Sequence, residues 1–181
     1  MEIPEKLERT QASASASKSL PTGQWAKPLG KLVLSLGMCL LVGFLASYAT
    51  QSSVDSWYPT LQKPAFNPPN WVFAPVWISL YVMMGLSFFF VWNRGGSQKR
   101  IQIALAWFLV QLVLNAAWSF VFFGWQSPFW GLLDISLLFV VLIITIILFF
   151  RVSRWGGLLL LPYLFWVGFA AILNYTIWIL N

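Results

Sequence analysis

A chain of 181 residues in which 59% are hydrophobic and only 9% charged lies outside the composition of soluble globular domains, which carry about 25% charged residues. Its formal net charge of +6 does not point to nucleic acid, because the basic residues fall in short clusters between apolar runs rather than on one continuous polar face. With no histidine and a single cysteine, Cys39, set in an apolar run, the chain offers no disulfide framework, no metal site and few groups for ordinary hydrolytic chemistry.

Membrane lipid is therefore the expected surroundings, and elements can be read in chain order against a hydrocarbon core about 30 Å thick. Residues 1 to about 30 are polar and Ser/Ala-rich around ASASASKS, which predicts a disordered N-terminal tail ahead of one membrane domain at 31–181. Apolar runs then predict spans at about 32–50, 72–92, 101–123, 129–150 and 157–180. The first is too long for the hydrophobic region of a signal peptide and reads as a retained span. Short connections after the first loop make consecutive helices antiparallel neighbours. The fold class is an all-α membrane protein, a bundle of five transmembrane helices. Lys27, Lys31, Arg94, Lys99, Arg100, Arg151 and Arg154 all fall on one side, against Lys63 on the other. The positive-inside rule then puts the N-terminus in the cytoplasm and the first loop and C-terminus opposite, in a membrane that the sequence does not identify.

The first loop runs into the second span as WYPTLQKPAFNPPNWVFAPVW, Trp57 to Trp77. Pro64, Pro68 and Pro69 fix their own φ and bias the preceding residues away from helix, which predicts a shaped cap. In the third span Trp107, Gln111, Asn115, Trp118, Phe122 and Trp125 recur at spacings of three and four, on roughly one face. Gln111 and Asn115 would be poorly satisfied in lipid, so that face points inward, either as glue between helices or as part of a ligand site. Asp134 is the one carboxylate inside a span and needs an inward partner, structural or ligand. In the fifth span Trp166, Ala170 and Asn174 stand at i, i+4 and i+8, a notch for a flat ligand or a neighbouring helix. Ser35, Cys39, Gly43 and Ser47 form a small-residue stripe on the first span that reads as close packing. Trp25, Trp57, Trp92, Trp130 and Trp155 lie near span ends or in the flanks, as interfacial anchors or tail. Trp77, Trp118 and Trp166 form the inward set.

Three ordered blocks carry a resemblance to a known family. They are WYxxLxKPxFxPPxWVFxPVWxxLYxxMG from Trp57 to Gly85, QLxLNxAWSxxFFG from Gln111 to Gly124, and LLPYLxWxxFAxxLNYxxW from Leu160 to Trp178, with LLD around Asp134 between the last two. The chain from about Leu32 to Asn181 resembles the translocator proteins, also called tryptophan-rich sensory proteins (TspO/MBR) or peripheral-type benzodiazepine receptors. The resemblance implies a five-helix bundle, often a homodimer, whose first loop lids a pocket for porphyrins, haem and benzodiazepine-type ligands. It implies pocket contacts at Trp77, Asn115, Trp118, Trp166 and Ala170, with Trp71 beside the lid. Cholesterol is not carried over, because Leu173 and Tyr175 are followed by no basic residue before Asn181. Ala106 and Val110 stand where some members have GxxxG, and Phe66 where many have another tryptophan.

The leading expectation is a receptor or transporter-like protein that binds tetrapyrroles and serves porphyrin handling under stress, using Trp71, Trp77, Gln111, Asn115, Trp118, Asp134, Trp166, Ala170 and Asn174. Without histidine, haem would need Tyr, Met or no protein ligand, so metal-free porphyrin is the easier fit, and no cofactor is required. A second expectation, implied by some relatives, is light- and oxygen-dependent breakdown of protoporphyrin with Trp77 and Trp166 as electron donors. A third is a non-catalytic assembly or regulatory protein with an aromatic core.

Overall fold

Apolar segments of twenty or more residues become helices here because hydrocarbon offers the backbone no partners, so each N–H and C=O must be satisfied within its own segment. The computed structural model describes residues 26–181. Helix α1 spans Ala26–Val54, α2 Asn70–Trp92, α3 Gln98–Ser119, α4 Pro128–Phe150, the short α5 Arg154–Leu159 and α6 Leu161–Leu180. Among the described residues there is no strand, and five stretches are long and apolar enough to cross a membrane, α5 and α6 together making the fifth. The all-α, five-helix architecture is the one the sequence predicts.

The core forms where the helices press closest. α4 packs extensively against both α3 and α6, and α2 packs against α5. Met84, Phe108, Leu142, Phe149 and Tyr163 are fully buried in it, with Phe108 and Phe149 stacked at 5.6 Å. Ser87 Oγ donates to the Gly156 carbonyl at 2.6 Å, and a Cβ on Gly156 would lie 2.8 Å from Val91, so the α2–α5 contact is close enough to need glycine. The small stripe of α1 does the same work as far as Gly43: Ser35 and Cys39 are buried, and a Cβ on Gly43 would meet the Tyr81 ring and one on Gly85 of α2 the Leu36 Cα at 2.9 Å. Ser47, by contrast, is exposed, and its hydroxyl donates to the Phe44 carbonyl of its own helix.

Three local features depart from the expected outline. The first helix begins at Ala26 and ends at Val54, so residues 26–30 are helical rather than tail, while the remainder of the tail, with Trp25, lies outside the described residues. Hydropathy senses only the apolar centre of a helix, and here its polar last turns continue with Thr50 and Ser52 hydroxyls bonded to carbonyls three or four residues back. The third span ends in a π-turn, Phe120–Gly124, closed by the Trp125 N–H on the Phe120 carbonyl at 2.9 Å. The fifth span starts at Arg154, capped by Ser153, whose hydroxyl accepts from Gly156 N. It is then interrupted at Leu160, just before Pro162, which has no N–H to continue the ladder.

Candidate functional site

One face of α2 brings Asn70, Phe73, Ala74, Trp77, Ile78 and Tyr81 into line at spacings of three, one, three, one and three, the pattern of a single helical stripe. Opposite it stand Trp118 and Phe122 of the α3 end, and Trp166, Ala170 and Asn174 of α6. Together with α1 they enclose a cavity of about 860 Å³, within the roughly 300–1,000 Å³ range of small-molecule sites. It lies at the end of the bundle that carries the first loop. Leu40, Phe44 and Ile78 border it while being 40%, 69% and 59% exposed, so the cavity reaches the lipid-facing surface along the α1–α2 flank.

Two polar chains fix the walls. The Tyr81 hydroxyl donates to Asn115 Oδ1, and Asn115 Nδ2 donates to the Tyr163 hydroxyl at 2.8 Å. Tyr81 borders the cavity, whereas Asn115 sits one layer behind it, 2% exposed. In the second chain the Trp118 indole donates to Asn174 Oδ1 at 3.1 Å, and Asn174 Nδ2 donates to the Pro128 carbonyl at 2.7 Å. Gly131 leaves the room for this, since a Cβ there would lie 3.0 Å from both Asn174 Oδ1 and Phe122. Trp118 also stacks on Phe122 at 5.2 Å, so its indole plane is held from two sides. Trp166 rests edge-on against Phe73 at 6.0 Å, and its indole N–H is buried without a protein acceptor.

The first loop is folded over this end. Tyr58 is buried against Phe122 and Phe123, and its hydroxyl donates to Asn67 Oδ1 at 2.9 Å. Lys63 Nζ turns back to donate to the Tyr58 and Leu61 carbonyls at 2.7 and 3.0 Å, above the Tyr58 ring. Gln62 and Asn181 exchange two hydrogen bonds, N–H to Oδ1 at 2.9 Å and Nδ2 to carbonyl at 3.1 Å, which ties the loop to the last residue of the chain. Burial pushes the Tyr58 hydroxyl above its ordinary pKa, with the Asn67 bond pulling the other way.

Of the residues selected from sequence, Trp77, Trp118, Trp166, Ala170 and Asn174 border the cavity, and Asn115 supports it from behind. Three do not reach it. Trp71 is 76% exposed: it stands in the first turn of α2, about 100° round from Asn70 and in phase with Ile78 at the outward edge of the stripe. Gln111 is fully buried a turn below Asn115, its amide directed at Met84 Sδ at 3.9 Å. Asp134 is half-buried on α4, away from the cavity lining, with Oδ2 unpartnered. Trp125 also leaves the α3 face: the π-turn takes up one residue more per turn, and Trp125 is 71% exposed. Sequence reasoning passed over Tyr81 and Tyr163, which hold Asn115 between them. Both stand inside the quoted blocks, and a tyrosine one helical turn from a tryptophan (Trp77–Tyr81, Tyr163–Trp166) was the signal available.

The sequence pattern of the TspO/MBR family matches residues 35–179. The chain is 45% identical over 155 residues to the tryptophan-rich protein TspO of Chlorobaculum tepidum, covering 86% of this chain and 98% of that one. It is 36% identical over 156 residues to the translocator protein of Homo sapiens, covering 85% and 89%. With the tryptophan-rich sensory protein of Cereibacter sphaeroides it shares 34% over 154 residues, covering 82% and 95%. With five membrane-capable stretches and matches of this length, the chain is a multi-pass integral membrane protein and belongs to the TspO/MBR family.

Proposed function

We propose that this protein binds porphyrins in the aromatic cavity, as a receptor or transporter-like protein of tetrapyrrole handling and stress response. The observation that supports it is the convergence of three indoles from three helices, Trp77, Trp118 and Trp166, on one cavity of about 860 Å³. A tetrapyrrole is a flat, extended π-system, and aromatic walls gain from it about 0.5–1.5 kcal/mol per ring pair beyond area burial. The polar groups are few and placed, as in small-molecule sites generally. Metal-free porphyrin suits the lining better than haem: both tyrosines that border the cavity, Tyr58 and Tyr81, have hydroxyls engaged by Asn67 and Asn115. The N-terminus lies in the cytoplasm on this reading, with the cavity towards the opposite side.

Titration of the purified protein with protoporphyrin tests the proposal through saturable quenching of tryptophan fluorescence. Saturation is expected, weakened about threefold to tenfold in Trp166→Phe and in Trp118→Phe. Unsaturable quenching, or equal affinity in the variants, overturns it.

A second reading, light-dependent oxidation of the bound pigment, is favoured by one feature: Trp77 and Trp166 both border the cavity. An excited porphyrin would take an electron from an indole and pass it to oxygen as superoxide, and the indole radical cation would regain an electron from the pigment. The pigment radical cation would then combine with superoxide, a net addition of O2. Illumination with protoporphyrin then yields a defined product more slowly in Trp77→Phe and Trp166→Phe; an unchanged rate removes this reading.

A further inference from the structure

At the opposite end of the bundle from the cavity, the start of α3 and the end of α4 leave a shallow groove of about 440 Å³ lined by Arg100, Ile103, Leu148, Arg151 and Val152. Three of these residues are apolar and two carry guanidinium groups, neither in an ion pair with a described residue. Within 31–181 the side-chain carboxylates are Asp55, beside the aromatic cavity, and Asp134, near the start of α4. Both belong to the other end of the bundle, so this end has no carboxylate of its own in that range. Arg151 closes α4, and Arg100 sits in the first turn of α3, where unpaired backbone N–H groups add to the positive potential. Two exposed arginines lining one groove with Ile103, Leu148 and Val152, at the end of a membrane span, match a ligand that is anionic at its head and aliphatic below.

We propose that this groove is a docking site for one acidic phospholipid, its phosphate bound by Arg100 and Arg151 and the upper part of an acyl chain lying on Ile103, Leu148 and Val152. Guanidinium groups bind phosphate oxygens bidentately, a geometry that an ammonium does not reproduce. Anionic headgroups are what basic pockets between helices recognise at a bilayer surface. The N-terminal segment is a poorer occupant by charge: in residues 1–25, Glu2, Glu5 and Glu8 are balanced by Lys6, Arg9 and Lys18. This site is independent of the aromatic cavity and of what that cavity binds.

The test is native mass spectrometry of the full chain in neutral detergent, titrated with phosphatidylglycerol or phosphatidylcholine. One saturable phosphatidylglycerol adduct is expected. It should weaken about tenfold or more in R100Q/R151Q, from the loss of two charge-assisted contacts, and less in R100K/R151K, which keeps the charge count if the first variant folds poorly. R94Q/R154Q removes the same number of charges outside the groove and should leave the adduct intact. Equal loss in R94Q/R154Q overturns the site in favour of diffuse surface charge. Complete competition by millimolar inorganic phosphate overturns the lipid assignment in favour of a free anion. Adducts that appear only after deletion of residues 1–25 overturn it in favour of the tail as occupant.

Discussion

Removing the Asn115 side chain should cut the support behind the cavity without touching its lining. Asn115→Ala leaves the Tyr81 hydroxyl without its acceptor and Tyr163 without its donor. Hydrogen bonds between transmembrane helices average about 0.6 kcal/mol and reach about 1.7, so loss of two should cost about 1–3 kcal/mol. The informative quantity is the coupling between Asn115→Ala and Tyr81→Phe in a double-mutant cycle, measured by reversible unfolding in mixed detergent with tryptophan fluorescence as the signal. A coupling of about 0.6–1.7 kcal/mol is expected, roughly 3- to 18-fold in the folding equilibrium. Additivity of the two single changes to within about 0.3 kcal/mol would falsify the network as a unit. Replacing all three groups at once, as Tyr81→Phe, Asn115→Leu and Tyr163→Phe, should restore most of the stability, because no buried polar group is then left unmatched. On the proposed porphyrin-binding function, ligand affinity should fall in Asn115→Ala and stay low in that triple variant, which separates the structural contribution of the network from its positioning of Tyr81.

Gly85→Ala should destabilise by about 1–3 kcal/mol in the same unfolding assay, since its new Cβ meets backbone of Leu36 and Ser35 that cannot turn aside. Asn181→Ala should leave stability nearly unchanged but speed ligand dissociation in stopped-flow fluorescence, because the Gln62–Asn181 exchange pins the first loop; an unaltered off-rate would show that the loop does not retain ligand. Raising pH should open the same loop. Tyr58 has its pKa raised in the folded protein, so the stabilisation from burying it neutral is fully present below about pH 10, the unfolded value, and is lost as pH rises through the folded value. Tyr58→Phe should remove that alkaline step from the unfolding profile. Single cysteines placed at Ser97 and at Thr60 should react with an impermeant maleimide from opposite faces of sealed membrane vesicles, that at Ser97 from the cytoplasmic face; labelling of both from one face, or from the reversed faces, would refute the orientation given by the basic residues.

Features that depend on composition over a whole helix could be read directly. Five spans follow from run length, and the inward direction of Trp118 follows from its phase with Asn115, since lipid disfavours an amide on any other face. Trp71 and Trp77 look alike as letters, and only the α2 stripe through Asn70 and Phe73 turns one towards the cavity and the other away. The π-turn at Phe120–Gly124 has no apolar signature, so a regular 3.6-residue count carries Trp125 onto a face that it leaves. The Lys63 clasp was equally hidden, because a cation satisfied by the Tyr58 and Leu61 backbone carbonyls has no partner residue to find by spacing.

If the cavity binds porphyrin as proposed, the open α1–α2 flank changes which solvent the ligand leaves. A porphyrin arriving from the bilayer has already shed its water on partitioning, so most of the hydrophobic gain is collected before it meets Phe44 or Ile78. What remains to discriminate one flat amphiphile from another is stacking on Trp77, Trp118 and Trp166 and the match of its few polar atoms. Affinity on this route is a competition against lipid acyl chains, and dissociation constants in mole fraction of the bilayer should agree between nanodiscs of different size where aqueous values diverge.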